Sequence, residues 1–242
     1  QWIGDYGAAA CTSQPLTVTM DMPRTVGAVF GVAGGETRSW VGGEGDWTAP
    51  EGWLPEGVPA AGDLAVVAGG PVRVTEKVRL RDLTVRGKGE FTEADGIDLN
   101  VPRTFLITGP DATATFNANN LSVGAYLLLR DGGRLYIDSG PTNAGVTFGA
   151  SVTVGERMEV GAGCWVFPAS DIYNGGSPRF DLDDLIVSAG GGFDADGLGF
   201  RGGKSQDEGA PLHYEGWGPG AGNAGDGGGY GGLGGRAEPG YG

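Results

Sequence analysis

One histidine and two cysteines among 242 residues leave little of the usual catalytic inventory. A catalytic zinc wants three protein ligands, commonly imidazoles, and a Ser-His-Asp arrangement wants its histidine beside an activated nucleophile. His213 has neither, since it stands in a glycine-rich stretch without a nucleophile-elbow sequence. Cys11 and Cys164 lie in different segments, and neither belongs to a C-x-x-C or metal-ligand pattern. Two isolated thiols fit best, with a disulfide between them as the alternative.

Long apolar runs are missing too. No stretch of 18 apolar residues occurs, so no membrane-inserting helix is expected. Positive charge is scarce: 16 Lys plus Arg stand against 30 Asp plus Glu, a net charge of -14. Nucleic-acid binding needs a basic stripe that releases counterions, whereas Arg73, Lys77, Arg79, Arg81, Arg86 and Lys88 are scattered among acids. The acidity suits solubility outside a cell and weak divalent-ion binding. Good helix sequence is also lacking. With 51 Gly and 14 Pro, no dozen-residue window avoids both while carrying apolar residues at helical spacing. The opening Gln1-Trp2-Ile3-Gly4 has neither an initiator Met nor a signal peptide, so the chain is expected to be a piece of a longer exported protein.

What remains is short strands and turns. In residues 1–32, Leu16, Val18 and Met20 alternate with polar residues, and Val26, Val29 and Phe30 follow a short turn, which predicts a terminal β-hairpin. Trp2-x-Gly4-Asp5, Gln14-Pro15-Leu16-Thr17-Val18-Thr19-Met20-Asp21 and Thr25-Val26-x-Ala28-Val29-Phe30 resemble the closing half of the internalin-type B-repeat, found in tandem on large bacterial surface proteins. Residues 33–39 have linker composition.

A Trp-rich segment, 40–63, comes next. Trp40, Gly42, Gly43, Gly45 and Trp47 form W-x-G-G-x-G-x-W, followed by Trp53, Gly57, Pro59 and Gly62-Asp63. The pattern resembles the sequence that precedes β-helical regions in autotransporter-like exported proteins. Three Trp within 14 residues suit a cap on an open solenoid end, and a sugar-stacking platform of Trp40, Trp47 and Trp53 is the sharper alternative.

Over residues 64–189 pairs of apolar residues flank one other residue. They include Val72/Val74, Leu83/Val85, Phe105/Ile107, Leu127/Leu129, Met158/Val160, Trp165/Phe167 and Leu185/Val187. In several stretches the strand starts recur every six to eight residues, for instance at 121, 127 and 135. That period is too short for a sandwich hairpin but fits one side of a coil, with three sides per turn. The expected fold is therefore all-β: a right-handed parallel β-helix (β-solenoid) with an N-terminal hairpin and a C-terminal glycine-rich lobe. A β-sandwich or jelly roll is the alternative.

Residues 190–242 hold 22 Gly in 53 positions, with Phe193, Phe200, Tyr214, Trp217 and Tyr230 spaced among them. They resemble a glycine-rich insertion of exported β-helical proteins, which implies an ordered lobe. Composition alone fits a flexible tail equally well.

Two acidic clusters qualify as structural calcium ligands, Asp181, Asp183 and Asp184, and the D-x-D-G turn of Asp194 and Asp196. An EF-hand pattern fails, because its fifth and twelfth positions would be Leu198 and Ser205. Asp131 with Asp138, or a pair from Glu90, Glu93, Asp95 and Asp98, are conceivable glycosidase carboxylates if one solenoid face gathers them. Asn117, Asn119 and Asn120 suit left-handed turn positions or an asparagine ladder. No pattern amounts to an active site. The leading functional expectation is a non-catalytic structural or adhesive module of a large secreted or cell-surface bacterial protein, partnered by other domains of that protein. Alternatives are a domain that binds or degrades extracellular polysaccharide and a self-associating extracellular filament subunit.

Overall fold

A computed structural model describes residues 2–4, 26–28, 35–94, 96–118 and 120–200. The chain divides into two compact units, Gln1–Gly35 and Glu36–Gly242. In the first, β1 (Trp2–Gly4) pairs antiparallel with β2 (Val26–Ala28). The strand expected over Leu16–Met20 lies outside the described residues, as do Asn119, His213 and Cys11.

The second unit is built almost entirely of short strands. Its opening turn contains β3 (Thr37–Trp40), β4 (Gly45–Asp46) and β5 (Trp53–Leu54). Then come β6 (Leu64–Val67), β7 (Pro71–Val74) and β8 (Val78–Arg79), followed by β9 (Asp82–Arg86), β10 (Glu90–Glu93) and β11 (Leu99–Val101). The next three are β12 (Thr104–Thr108), β13 (Thr113–Asn117) and β14 (Asn120–Val123). The last described strands are β15 (Tyr126–Arg130), β16 (Arg134–Asp138), β17 (Ala150–Val160), β18 (Trp165–Ala169), β19 (Pro178–Val187) and β20 (Gly192–Phe193).

Apart from β5, the strands of this unit up to β14 pair in parallel with the strand three places on, and β15 to β18 pair in parallel with the strand two places on. Thus β6, β9, β12 and β15 follow one another side by side, and so do β4, β7, β10, β13, β16, β18 and β20. A third row runs β8, β11, β14 and the first half of β17. The long strands β17 and β19 bend from this row into the first, across a register shift between Val154 and Arg157. Among the described strands of this unit only β3 and β5 pair antiparallel. The result is an all-β arrangement of curled parallel and mixed sheets, compatible with a β-solenoid. It lacks the serial hairpins that a sandwich would show.

Thr37 to Ser39, assigned to linker by composition, are strand residues instead. Their backbone pairs with Leu64, Ala65 and Val66, so partner strands override local sequence.

Side chains alternate in and out along each strand, so registered pairing stacks like positions into columns. Ala65, Leu83, Phe105, Leu127 and Met158 form one inward column, and Val67, Val85, Ile107, Leu129 and Val160 form another, all buried. Phe105 faces Leu83 and Leu127, 22 residues before and after it. Leu127 to Met158 spans 31 residues, and the excess is the excursion 139–149 between β16 and β17. Leu185 and Val187 extend the two columns in register, but they remain 45% and 44% exposed because no further described strand lies over them.

The pair Trp165/Phe167 runs against the sequence reading. Cys164 and Val166 point inward and are fully buried, while Trp165 and Phe167 point outward. Four consecutive apolar residues leave the phase of alternation ambiguous, and the interior at this level accepts Cys and Val in place of two bulky rings.

Corners between strands bring successive turns of chain nearly into contact. A Cβ added to Gly124 would collide with the carbonyl of Pro102, and one on Gly155 with the carbonyl of Gly124. Gly124→Ala should therefore destabilise the fold by about 1–3 kcal/mol. Gly43→Ala, where a Cβ meets nothing within 4 Å, should be close to neutral. Within the core, Ile107→Ala should cost about 2–5 kcal/mol, and a urea titration of the three variants checks all these values.

Candidate functional site

The three tryptophans named by sequence are gathered at one end of the second unit, where β3, β4 and β5 close its opening turn. Trp40, Trp47 and Trp53 are 2%, 1% and 1% exposed. Trp53 meets Trp40 edge-on at 5.3 Å between centroids and Trp47 at 4.6 Å. The contacts continue downward, Trp47 onto Phe91 at 6.0 Å and Phe91 onto Phe105 at 6.3 Å and Phe116 at 5.8 Å. Two indole donors are satisfied inside the segment, Trp40 Nε1 by the Gly43 carbonyl and Trp53 Nε1 by the Trp47 carbonyl, each at 2.9 Å. Gly52 and Gly45 leave room for the Trp40 ring, which any Cβ there would strike. Rings this deeply enclosed offer no face on which a sugar could stack. Their geometry is that of a plug.

Asp63 ties the plug to the first complete turn. Its carboxylate accepts hydrogen bonds from the backbone N–H of Glu36 and Ala60, each at 2.8 Å, and from Arg38 Nε at 3.2 Å. Arg38 also donates to the carbonyls of Pro55 and Glu56, holding the loop after Trp53. Burial alone would raise the Asp63 carboxyl. The two backbone N–H groups and the guanidinium outweigh it and hold the carboxyl below its ordinary value.

The sequence-derived carboxylates do not converge. Asp181 pairs with Arg179 at 3.2 Å and Asp184 with Arg157 at 2.7 Å, and these two acids lie on opposite sides of the bend in β19. Asp183 is exposed. Asp194 accepts the N–H of Asp196 at 3.0 Å, so the D-x-D-G stretch closes a turn on itself. Among the described residues no three His, Cys, Asp or Glu side chains are grouped to hold a metal ion.

Asp131 and Asp138 flank opposite ends of β16, whose length of about 13 Å exceeds the roughly 5–9.5 Å of a glycosidase pair. Asp131 sits at a corner with φ 54° and accepts from Thr108 Oγ1 at 2.8 Å. Desolvation raises the Asp138 carboxyl. Glu90 points outward while Glu93 is fully buried, so these two do not share a face. Asp98 accepts from Asn120 Nδ2 at 2.9 Å, and Asp95 lies outside the described residues. Asn117 Nδ2 donates to the Glu93 carbonyl at 2.7 Å, a link between turns of chain.

One cluster was not singled out by sequence. On the outer face of β16 and β18, Tyr136 and Phe167 are cross-strand partners whose rings stack in parallel, 4.7 Å apart and tilted by 11°. Trp165, two residues before Phe167, is 37% exposed. A Cβ on Gly192 of the next strand would meet three atoms of its indole at 3.2–3.8 Å, so the ring lies against a strand that has no side chain there. Arg134 and Asp138 bracket Tyr136 on the same face of β16 and are both exposed. The available signal was the residue type across the row, since Thr92 and Thr115 precede Tyr136 and Phe167 in register.

No protein-family model matches this chain, and neither a curated protein nor a solved structure is similar to it.

The Asp63 clamp has a defined pH dependence. A carboxyl held low in the native state contributes stability in full above its ordinary value of 3.8, and the contribution is lost as pH falls below it. Asp63→Asn should cost about 1–3 kcal/mol at pH 7. In urea titrations the gap between wild type and variant should close on acidification below pH 3.8. A gap that stays constant with pH would remove the charge from the account.

Proposed function

We propose that this chain is a non-catalytic structural or adhesive module of a large secreted or cell-surface bacterial protein, wound as a right-handed parallel β-helix that sets apart the domains it joins. The observation that carries the reading is the unbroken parallel pairing from β6 through β9, β12 and β15 to β17 and β19. A stack stabilised by contacts between neighbouring turns gains length simply by repetition, which is the property a spacer needs. The net charge of -14 supports solubility in an extracellular setting. The other domains of the parent protein are its natural partners.

Two measurements test this. An antibody raised against the 141–148 loop, which carries the exposed Val146 and Phe148, should label intact bacteria that express the parent protein. Labelling only after permeabilisation would overturn the surface assignment. Incubating the purified chain with neutral and acidic polysaccharides should release no reducing ends. Release that disappears in Asp138→Ala would place the chain among the enzymes instead.

A further inference from the structure

We infer that residues 211–214 of this chain dock as one more parallel strand on the free edge of β19, with Leu212 over Leu185 and Tyr214 over Val187. That edge is unlike the rest of the stack. Leu185, Ile186 and Val187 are 45%, 39% and 44% exposed, although Leu185 and Val187 stand in the two inward columns whose earlier members are buried. Ser188 N–H donates back to the Val160 carbonyl at 2.9 Å, and N–H groups alternate in direction along a strand, so those of Leu185 and Val187 point away from β17. The neighbouring row has already gone one step further, because β20 lies on β18 with Gly192 in register with Trp165. Among the described residues, a turn of chain is thus begun on one side and not continued over β19.

The spacing of register partners picks out the occupant. Met158 to Leu185 and Trp165 to Gly192 are both steps of 27 residues. A further step of the same size from Leu185 and Val187 falls on Leu212 and Tyr214. These two flank His213, which repeats the alternation that builds the columns below. They also belong to residues 210–215, the longest run without glycine in 201–242, where a strand avoids glycine's entropy cost. Pro211 falls at the first position of the strand, where proline is tolerated. A second copy is the weaker competitor for this edge. Copies that each carry a net charge of -14 repel one another, whereas a tethered segment meets β19 at an effective concentration on the order of millimolar. The inference is independent of the spacer reading, which stands if β19 is left uncovered.

Amide hydrogen exchange of the full chain, followed residue by residue by NMR, tests the inference. The N–H groups of Leu185 and Val187 should exchange at least tenfold more slowly in wild type than in a variant carrying both Leu212→Asp and Tyr214→Asp, while the amides of Phe105 and Ile107 keep their rates. Tyr241→Asp, which adds a charge outside that register, should leave all four amides at the wild-type rate. A nuclear Overhauser contact between the Tyr214 ring and the Val187 methyl groups of wild type is the second reading, and it needs no variant to fold. The inference is overturned by fast exchange at Leu185 and Val187 in wild type, or by protection that survives the double substitution. Protection that is lost on dilution, as a second copy on β19 would give, overturns it as well, and so does the absence of the Tyr214–Val187 contact.

Discussion

Backbone hydrogen bonding between successive turns of chain, at the strand spacing of about 4.8 Å, is the constraint from which the rest of this architecture follows. Once Leu83 must face Phe105 and Phe105 must face Leu127, every inward position stacks on its own kind. The corners must then pass one another at the same spacing. That is why Gly124 sits over Pro102 and Gly155 over Gly124, with no room for a Cβ between them. Extra length is tolerated only where pairing is interrupted. The 139–149 excursion leaves the stack after β16 and rejoins it at β17 without disturbing the register on either side.

The Trp-rich segment solves a problem that such stacking creates. An exposed first turn would present unpaired strand edges and the ends of its apolar columns. Here β5 folds back antiparallel on β3, and three indoles fill the opening and run into the phenylalanines beneath. Asp63 and Arg38 fasten this plug through backbone groups, so the fastening does not depend on neighbouring side-chain packing. The glycines and the Gly-Asp pair of this segment therefore have a physical task in this chain. The glycines clear space for Trp40, and the Gly-Asp pair ends in the clamp.

Much of the fold was legible because the spacing of apolar pairs reports directly on the side length of a turn. Val72/Val74, Leu99/Val101 and Leu121/Val123 alternate with polar neighbours, and all six are buried. The phase was lost where the surroundings were apolar as well. Residues 164–167 offered two equivalent alternations, and only the partner strands decided between them. The same ambiguity hid the outer aromatic strip, since sequence placed Trp165 and Phe167 in the core and turned attention to Trp40, Trp47 and Trp53. Pairing among carboxylates was not legible at all. Asp131 and Asp138 are close in number and yet separated by a whole strand, and the bend in β19 parts Asp181 from Asp184.

The two ends of the second unit differ, and the difference makes the stack directional. Trp40 and Trp53 seal one end, whereas Leu185, Ile186 and Val187 at the other keep both column positions and the free edge of β19 open to solvent among the described residues. Among the described residues, a new strand could lie against β19 without displacing a side chain, but one laid on β3 would first have to evict β5 and the indoles. Room for a further strand among the described residues is thus found at the β19 end and not at the tryptophan end.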